Sequence, residues 1–340
     1  MILDGRLAGS IIRGAEAAAR GELVAFPTET VYGLGADAGS DAAVARIFAA
    51  KGRPSDHPLI VHVTDTDQGA AGVAYFASEV PEFARKLMQA FWPGPLTVIL
   101  PRRTDHGAAA AGGQDSIGLR CPSHPVAQAL LKACLDAGVM GLAAPSANQF
   151  GRVSPTTAAH VRGEFDEGLL ILDGGACAVG IESTIVDCTR GAPVLLRPGA
   201  ITWEQVQAVC GESALSNDEL FTQNLPAPRA SGTLESHYAP RARVRLMDAA
   251  ALQVALDVLG SEIDGTGTVI ATYSRAILRS SSSKVLRRRM PDDAAATAQQ
   301  LFAVLREFDD KGAKLIWVET PPDEPEWAGV RDRLQRAAAT

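Results

Sequence analysis

The stretch that decides the fold reads Phe26-Pro27-Thr28-Glu29-Thr30-Val31-Tyr32-Gly33-Leu34-Gly35, directly after an apolar segment that begins at Leu23. Short apolar strands that end in polar loops are where α/β enzymes place their chemistry. The two glycines let the backbone approach a ligand closely. The pattern therefore predicts a buried strand over 23–26 and a functional loop after it.

A second polar stretch follows and carries two cations one residue apart. It reads Lys51-Gly52-Arg53-Pro54-Ser55-Asp56-His57-Pro58-Leu59. Paired Lys and Arg side chains suit phosphate or carboxylate ligands. The same residues also fit an ordinary helix end, where Lys51 would complement the helix dipole and Gly52 would stop the helix. Both interpretations remain open on this stretch alone.

Composition limits the class of protein. The chain has 340 residues, 46% of them hydrophobic, and a formal charge of −7. That charge argues against non-specific coating of nucleic acid but allows a local basic cleft. The five cysteines are scattered without a C-x-x-C pair, so we expect reduced thiols rather than a disulfide framework or a zinc site. No signal peptide or membrane span is apparent, which predicts a cytoplasmic protein.

The distribution of apolar segments predicts two domains. Residues 1–210 read as a mixed α/β domain with many strands. Residues 211–242 are rich in Ser, Asn, Asp and Pro, and we interpret them as a linker or a lid. In residues 243–340 strands alternate with helices, which predicts a small, mostly parallel sheet.

Polar residues recur just beyond the predicted strands of the first domain. Four of them are cations, with hydroxyls and an amide among them, which describes a pocket for an anion; a triphosphate and a carboxylate are both candidates. No catalytic triad, metal-ligand spacing or P-loop motif stands out. The residues are Thr28, Glu29, Thr30, Tyr32, Lys51, Arg53, His62, Arg120, Ser146, Asn148, Ser183, Thr184 and Arg197.

Seven short blocks in a fixed order resemble the YrdC-like domain over about residues 10–205. The tail, which begins with His237-Tyr238-Ala239-Pro240, resembles the long, two-domain form of the threonylcarbamoyl-AMP synthase family. The blocks are Pro27–Gly35, Lys51-x-Arg53 with His57-Pro58-Leu59, Phe91–Thr97, Gly118-Leu119-Arg120, Pro145-Ser146-Ala147-Asn148, Ser183–Asp187 and Arg197-Pro198-Gly199.

The resemblance implies a YrdC-like twisted mixed sheet with helices, followed by a small Rossmann-like parallel α/β domain. It also implies a reaction in which L-threonine, bicarbonate or CO2, and ATP give L-threonylcarbamoyladenylate and pyrophosphate. The product would pass to the tRNA threonylcarbamoyl transferase machinery for t6A modification at position 37. Mg2+ would accompany ATP, held by phosphate oxygens and water rather than by protein side chains. Direct contact with tRNA is left open.

Roles for individual residues also come from the resemblance. Tyr238 would cover the site as part of the lid. One departure is that residues 231–236 read Ser-Gly-Thr-Leu-Glu-Ser, where many long-form relatives carry Pro-Gly-Met-Lys-Tyr-Arg, so contacts through that Lys or Arg are not carried over. The implied roles are catalysis for Lys51 and Arg53, ATP binding for Lys51, Arg53, Ser146, Asn148 and Arg197, and threonine binding for Thr30, His62, Arg120 and Thr184.

Two other functions use the same residues. One is an RNA-binding YrdC-like module without catalysis. The other is a carbamoyl-transfer domain of the hydrogenase-maturation type, although such proteins carry zinc-finger-like cysteine pairs that this chain lacks. Structural roles also remain open for single residues: His62 as a core histidine, Thr184 as a plain strand residue. We interpret the basic run from Lys284 to Arg289 as a solvated edge.

Overall fold

The computed structural model describes residues 1–65, 70–211, 227–234 and 237–339. The chain divides into two compact units. The first contains Met1–Phe150 and Ser154–Thr233, and the second contains Gly151–Val153 and Leu234–Thr340. Much of the predicted linker lies outside the described residues, so its boundaries stay a prediction.

The first unit is built on a ten-stranded mixed sheet with the order β1-β8-β2-β3-β7-β4-β6-β5-β9-β10. Parallel and antiparallel pairs alternate irregularly across it, for example β4 parallel to β6 and β6 antiparallel to β5. The strands are β1 Ile2–Asp4, β2 Val24–Pro27, β3 Tyr32–Asp37, β4 Ile60–His62, β5 Leu96–Pro101, β6 Ser116–Arg120, β7 Leu142–Ala143, β8 Leu170–Asp173, β9 Thr184–Asp187 and β10 Val194–Arg197.

Helices flank this sheet, and their ends follow local capping chemistry. The Ser40 side chain accepts a hydrogen bond from the Ala43 amide and starts α2, while Gly52 ends it with a φ of 62°. This geometry places Lys51 in the last turn. The helices are α1 Ala8–Ala19, α2 Asp41–Lys51, α3 Ala70–Phe76, α4 Glu82–Phe91, α5 Pro125–Asp136, α6 Ala158–Arg162 and α7 Trp203–Cys210.

The largest apolar core of the first unit lies on one face of the sheet. Val61, Leu119, Val98 and Val186, from four neighbouring strands, belong to it. Because successive side chains of a strand point to opposite faces, the residues next to these valines and leucine point to the other face. That second face carries the candidate site.

The second unit has a four-stranded parallel sheet with the order β11-β14-β12-β13, which confirms the predicted fold class. The basic run from Lys284 to Arg289 ends in the edge strand β13, Val285–Arg289, and arginines 287–289 are exposed there. No helix among the described residues is long and apolar enough to cross a membrane. The elements are β11 Arg243–Met247, α8 Ala249–Leu259, β12 Ile270–Ser274, β13 Val285–Arg289, α9 Ala294–Asp310, β14 Leu315–Glu319 and α10 Ala328–Ala338.

Candidate active site

One row of residues crosses five neighbouring strands of the first unit. His62 pairs with Arg120, Arg120 with Thr97, Thr97 with Ile185, and Ile185 with Arg197. Residues paired across strands point to the same face of a sheet. The register therefore brings three predicted site residues, His62, Arg120 and Arg197, onto one face, together with Thr97, for which the sequence predicts no role.

Arg120 forms a buried ion pair with Glu29. The Arg120 Nη2 donates to Glu29 Oε1 at 2.7 Å, and the side chains are only 4% and 9% exposed. The Ser123 amide donates to the other carboxylate oxygen of Glu29 at 3.1 Å. The polar loop before β3 includes Glu29, but its pairing with Arg120 was not predicted, because the two residues are distant in sequence.

Thr28 holds the loop between β2 and β3 in shape. Its hydroxyl donates to the Val31 carbonyl oxygen at 2.6 Å and accepts from the Thr30 and Val31 amides at 3.2 Å each. The Thr30 hydroxyl lies 2.8 Å from the Thr28 hydroxyl, and Thr30 is fully buried. The loop thus presents Thr30 in a fixed position directly after Glu29.

His62 is neutral at physiological pH. The residue is 3% exposed, and its ring forms a T-shaped contact with Phe26, with ring centroids 5.9 Å apart. Burial, followed by the positive charge of Arg120, lowers the pKa of His62 to about 3. A neutral imidazole can accept a hydrogen bond from a substrate hydroxyl, which a charged one cannot.

Lys51 links the end of α2 to the loop that follows β7. Its Nζ donates to the carbonyl oxygens of Ser146, at 2.6 Å, and Asn148. Burial, with a smaller contribution from Arg53, lowers the pKa of Lys51 to about 7. Asn148 is buried, and its side-chain amide donates to the Gln149 carbonyl oxygen. The predicted nucleotide-binding residues Lys51, Ser146 and Asn148 are therefore in contact.

Two arginines meet at Ser231, in the described part of the predicted linker. The Arg197 guanidinium donates to the Ser231 carbonyl oxygen at 2.7 Å, and Arg53 donates to the Ser231 hydroxyl at 3.5 Å. Arg197 also donates to the Ser183 carbonyl oxygen through Nε and Nη2, at 3.1 and 2.9 Å. These contacts hold two buried cations side by side with hydroxyl and carbonyl oxygens between them.

Thr184 uses its hydroxyl within the protein. The hydroxyl donates to the Ile201 carbonyl oxygen at 2.7 Å and accepts from the Ile201 amide at 3.1 Å. A Cβ at position 199 would lie 2.4 Å from the Thr184 amide, so Gly199 is required for this close approach. These contacts fix the turn after Arg197. The predicted contact of Thr184 with threonine stays a prediction.

A small cavity lies on the same face of the sheet. Its floor includes Thr97, Gly118 and Ile185, and Ala230 and Ser231 also line it. The described linker residues therefore contribute to the wall of a pocket whose floor includes Thr97 and Ile185, two members of the row. An apolar floor with a few fixed polar groups is typical of small-molecule sites.

Tyr238, the predicted lid residue, belongs to the second unit. It is 1% exposed, its ring stacks on Phe302 at 5.5 Å, and the Arg333 guanidinium lies 5.3 Å from the ring centroid. Its φ is 61°, which is unusual for a residue with a bulky side chain. The lid role of Tyr238 stays a prediction.

Two family models match the chain in succession. The model described as "Telomere recombination", for the Sua5, YciO and YrdC group, matches residues 16–199. The model for the C-terminal domain of threonylcarbamoyl-AMP synthase matches residues 201–339. Together they span almost the whole chain.

Three relatives named threonylcarbamoyl-AMP synthase match over most of their length. The Bacillus subtilis protein is 38% identical, with 93% of this chain and 89% of the relative covered. The Pyrococcus abyssi protein is 36% identical, with 98% and 93% covered. The Schizosaccharomyces pombe protein is 35% identical, with 93% and 85% covered.

Solved structures of Sua5 from P. abyssi are similar to this chain. A doubly substituted variant is 33% identical, with 99% and 96% of the two chains covered and a TM-score of 0.86. The complex of P. abyssi Sua5 with L-threonine is 34% identical, with 98% and 95% covered and a TM-score of 0.83. From the two domain models, the full-length relatives and these structures, we conclude that the chain belongs to the threonylcarbamoyl-AMP synthase family in its two-domain form.

Proposed function

We propose that this chain is an L-threonylcarbamoyladenylate synthase, which converts L-threonine, bicarbonate or CO2, and ATP into threonylcarbamoyl-AMP and pyrophosphate. Its full-length relatives are named for this activity, and the similar P. abyssi structure contains L-threonine. The observation that carries the proposal is the row of polar residues: Arg120 and a neutral His62 lie on the same face of the sheet as Arg197.

The reaction joins threonine to CO2 and then to the adenylyl group. The threonine ammonium group loses one proton, its nitrogen bonds to the carbon of CO2 while one C–O π bond opens, and a second proton leaves the nitrogen, which gives a carbamate. When bicarbonate is the source, it yields CO2 and a hydroxide ion that takes up one of these protons as water. A carbamate oxygen then bonds to the α-phosphorus of ATP, and the bond from that phosphorus to the β-phosphate oxygen breaks, so pyrophosphate leaves with the electron pair. Such a reaction needs reactants held in line and charge stabilised, rather than a covalent nucleophile.

The threonine half of the site centres on Arg120. Its planar guanidinium would grip the threonine carboxylate, because two N–H groups match two carboxylate oxygens. Neutral His62 would accept a hydrogen bond from the threonine hydroxyl, with Thr30 beside it. Thr184 would support this half through the backbone.

The nucleotide half of the site would use Lys51, Arg53 and Arg197 against the phosphates. Ser146 and Asn148, which Lys51 contacts, would bind the ribose or the adenylate. Buried cations stabilise the charge that develops at the reacting phosphate more strongly than solvated cations do. The two halves would meet where the carbamate oxygen reaches the α-phosphorus.

We propose that Mg2+ enters with ATP. The groups assigned to the phosphates are cations, which repel a bare metal ion. Phosphate oxygens and water would therefore supply the ligands.

The adenylate would pass to the tRNA threonylcarbamoyl transferase machinery for t6A37, and the protein would act in the cytoplasm.

Pyrophosphate release tests this function against the two alternatives. The full chain should release pyrophosphate from ATP only when threonine and bicarbonate are both present. An RNA-binding module would release none. A carbamoyl-transfer domain of the hydrogenase-maturation type would instead depend on carbamoyl phosphate, so the assay is repeated with carbamoyl phosphate in place of bicarbonate. Dependence on carbamoyl phosphate would overturn the proposal.

A further inference from the structure

The ion pair between Glu29 and Arg120 joins two oppositely charged side chains within the site. Lys51 donates to backbone carbonyl oxygens, and Arg197 donates to carbonyl and hydroxyl oxygens. Arg120 instead donates to a carboxylate, and both partners are almost completely buried. Burying two charges costs each ion much of its hydration before their mutual attraction offsets the loss. A pair in this position therefore calls for a reason beyond stability.

Both partners of the pair retain unused hydrogen-bonding capacity. Arg120 Nε is buried and has no hydrogen-bond partner among the described residues. The Glu29 carboxylate can accept about four hydrogen bonds. The structure gives it one from Arg120 and one from the Ser123 amide. The unpartnered donor of Arg120, a residue on the face of the sheet that carries the site, thus lies next to the free acceptor positions of Glu29.

An α-amino acid is complementary to this arrangement. Its carboxylate and its ammonium group are attached to the same carbon atom, so they are close enough to meet two side chains that touch each other. The carboxylate fits the open donor of Arg120, and the ammonium group fits the open acceptor of Glu29. A simple anion offers only the first of these two contacts.

We propose that Glu29 determines specificity by forming a zwitterion clamp with Arg120. Glu29 binds the ammonium group of threonine. Its negative charge also offsets the positive charge of Arg120, so inorganic anions such as phosphate are attracted to the neighbouring cations and not to Arg120. The clamp therefore divides the site into a neutral half for the amino acid and a positive half for the nucleotide. This inference rests on the proposed function, because it takes threonine as the ligand.

The test compares threonine with the same molecule lacking the amino group, 3-hydroxybutyrate. Affinities for the full chain are measured by calorimetry in Glu29→Gln, which keeps the shape and removes the charge. Glu22→Gln is the matched control, because Glu22 pairs with Arg20 on the surface of the same unit. In the wild type and the control, threonine should bind about 10- to 100-fold more tightly than 3-hydroxybutyrate, the effect of one hydrogen bond to a charged group.

In Glu29→Gln the preference for threonine over 3-hydroxybutyrate should fall to about threefold or less, and inorganic phosphate should begin to compete with threonine. Glu29→Asp, which keeps the charge, should retain a preference for threonine. An unchanged preference in Glu29→Gln would overturn the clamp. Equal binding of both molecules to the wild type would overturn it as well, even if the variants did not fold. Failure of the wild type to bind threonine at all would instead count against the proposed function.

Discussion

Lys51 shows how one buried side chain couples ligand binding to protons. Its ammonium group lies among carbonyl oxygens and close to Arg53, in a place that solvent barely reaches. Burial lowers its pKa to about 7, so the free protein holds a mixture of charged and neutral Lys51 near neutral pH. Phosphate groups nearby would favour the charged form and raise the pKa again.

We therefore expect ATP affinity to fall as the pH rises above about 7. Above that pH the free protein has lost the Lys51 proton, and binding must take it up, so the affinity should weaken by up to about tenfold per pH unit. Below pH 7 Lys51 is already charged in the free protein, so its contribution to ATP affinity should not change with pH. Calorimetry in buffers of different ionisation enthalpy measures the proton uptake.

Lys51→Met should abolish this part of the pH dependence, whereas the titration of ATP itself remains in every variant. Lys86→Met, which changes an exposed lysine of the same unit, is the control. The same steep loss of affinity above pH 7 in Lys51→Met would contradict the assignment of the proton to Lys51.

Arg53→Ala should lower turnover by about two to three orders of magnitude, the usual effect of removing one preorganised charge-stabilising group. Lys51→Ala should have an effect of similar size. The measurement is the steady-state rate of pyrophosphate release, with circular dichroism to verify folding and Lys86→Ala as control. Near-normal rates in folded Arg53→Ala would remove Arg53 from the site.

The amino acid half of the site should prefer threonine over serine only modestly. The two differ by one methyl group, which is worth about 10- to 200-fold in discrimination. Alanine should be rejected more strongly, because it leaves His62 and Thr30 without a hydroxyl partner. Values of kcat/KM for the three amino acids test this, and equal use of alanine and threonine would contradict recognition of the hydroxyl.

Elements with strong end signals were predicted well, and those defined by tertiary pairing were not. Ser40 and Gly52 predict the start and the end of α2, and the structure confirms both. The sequence predicts a polar loop where β3 forms, because glycines disfavour strands in isolation. The helix α3, Ala70–Phe76, was missed because it lacks a polar face. The apolar spacing of residues 79–91 predicts a helix over that whole range, but Pro81 precedes the first turn of α4, so the helix begins only at Glu82.

The pairing register of the strands could not be predicted from the sequence. This register determines which side chains face the candidate site. A shift of one residue moves every side chain of a strand to the opposite face. The sequence predicted His62, Arg120 and Arg197 from strand ends, but it could not place them in one row or add Thr97. For the same reason the contact between Glu29 and Arg120 was found only in the structure.

The segment 227–233 is fastened to the first unit by reciprocal hydrogen bonds. The Arg229 amide donates to the Gln114 side chain at 2.7 Å, and Gln114 donates back to the Arg229 carbonyl oxygen at 3.2 Å. The Arg229 guanidinium also pairs with Asp56 at 2.8 Å and donates to the Gly112 carbonyl oxygen. Ser231, two residues later, contacts the arginines of the site.

We expect the double variant Gln114→Ala, Arg229→Ala to shorten the lifetime of the adenylate on the protein. Each contact is exposed and weak alone, but together they hold the segment that lines the cavity, and a loose cover admits water. An effect of about three- to tenfold is expected for the loss of roughly 1 kcal/mol. The control is Arg103→Ala, which removes another exposed ion pair of this unit. An unchanged lifetime would make this segment a tether rather than a cover.

At the scale of the whole molecule, the order of the motifs was more informative than any single motif. Seven short blocks indicated the first fold, and alternating strands and helices indicated the parallel sheet of the second unit. No sequence pattern predicts that Gly151–Val153 joins the second unit, because that connection depends on a distant contact, in which the Ala239 amide donates to the Gly151 carbonyl oxygen at 2.9 Å.

The proposed synthase activity is tested most directly by following an isotope label from bicarbonate into the product. The full chain is incubated with ATP, L-threonine and labelled bicarbonate, and the products are separated and weighed by mass spectrometry. We expect a labelled threonylcarbamoyl adenylate, formed in equal amount with pyrophosphate and lost when Arg120 is changed to Ala. A folded protein that binds ATP and threonine but leaves the label in bicarbonate would contradict it.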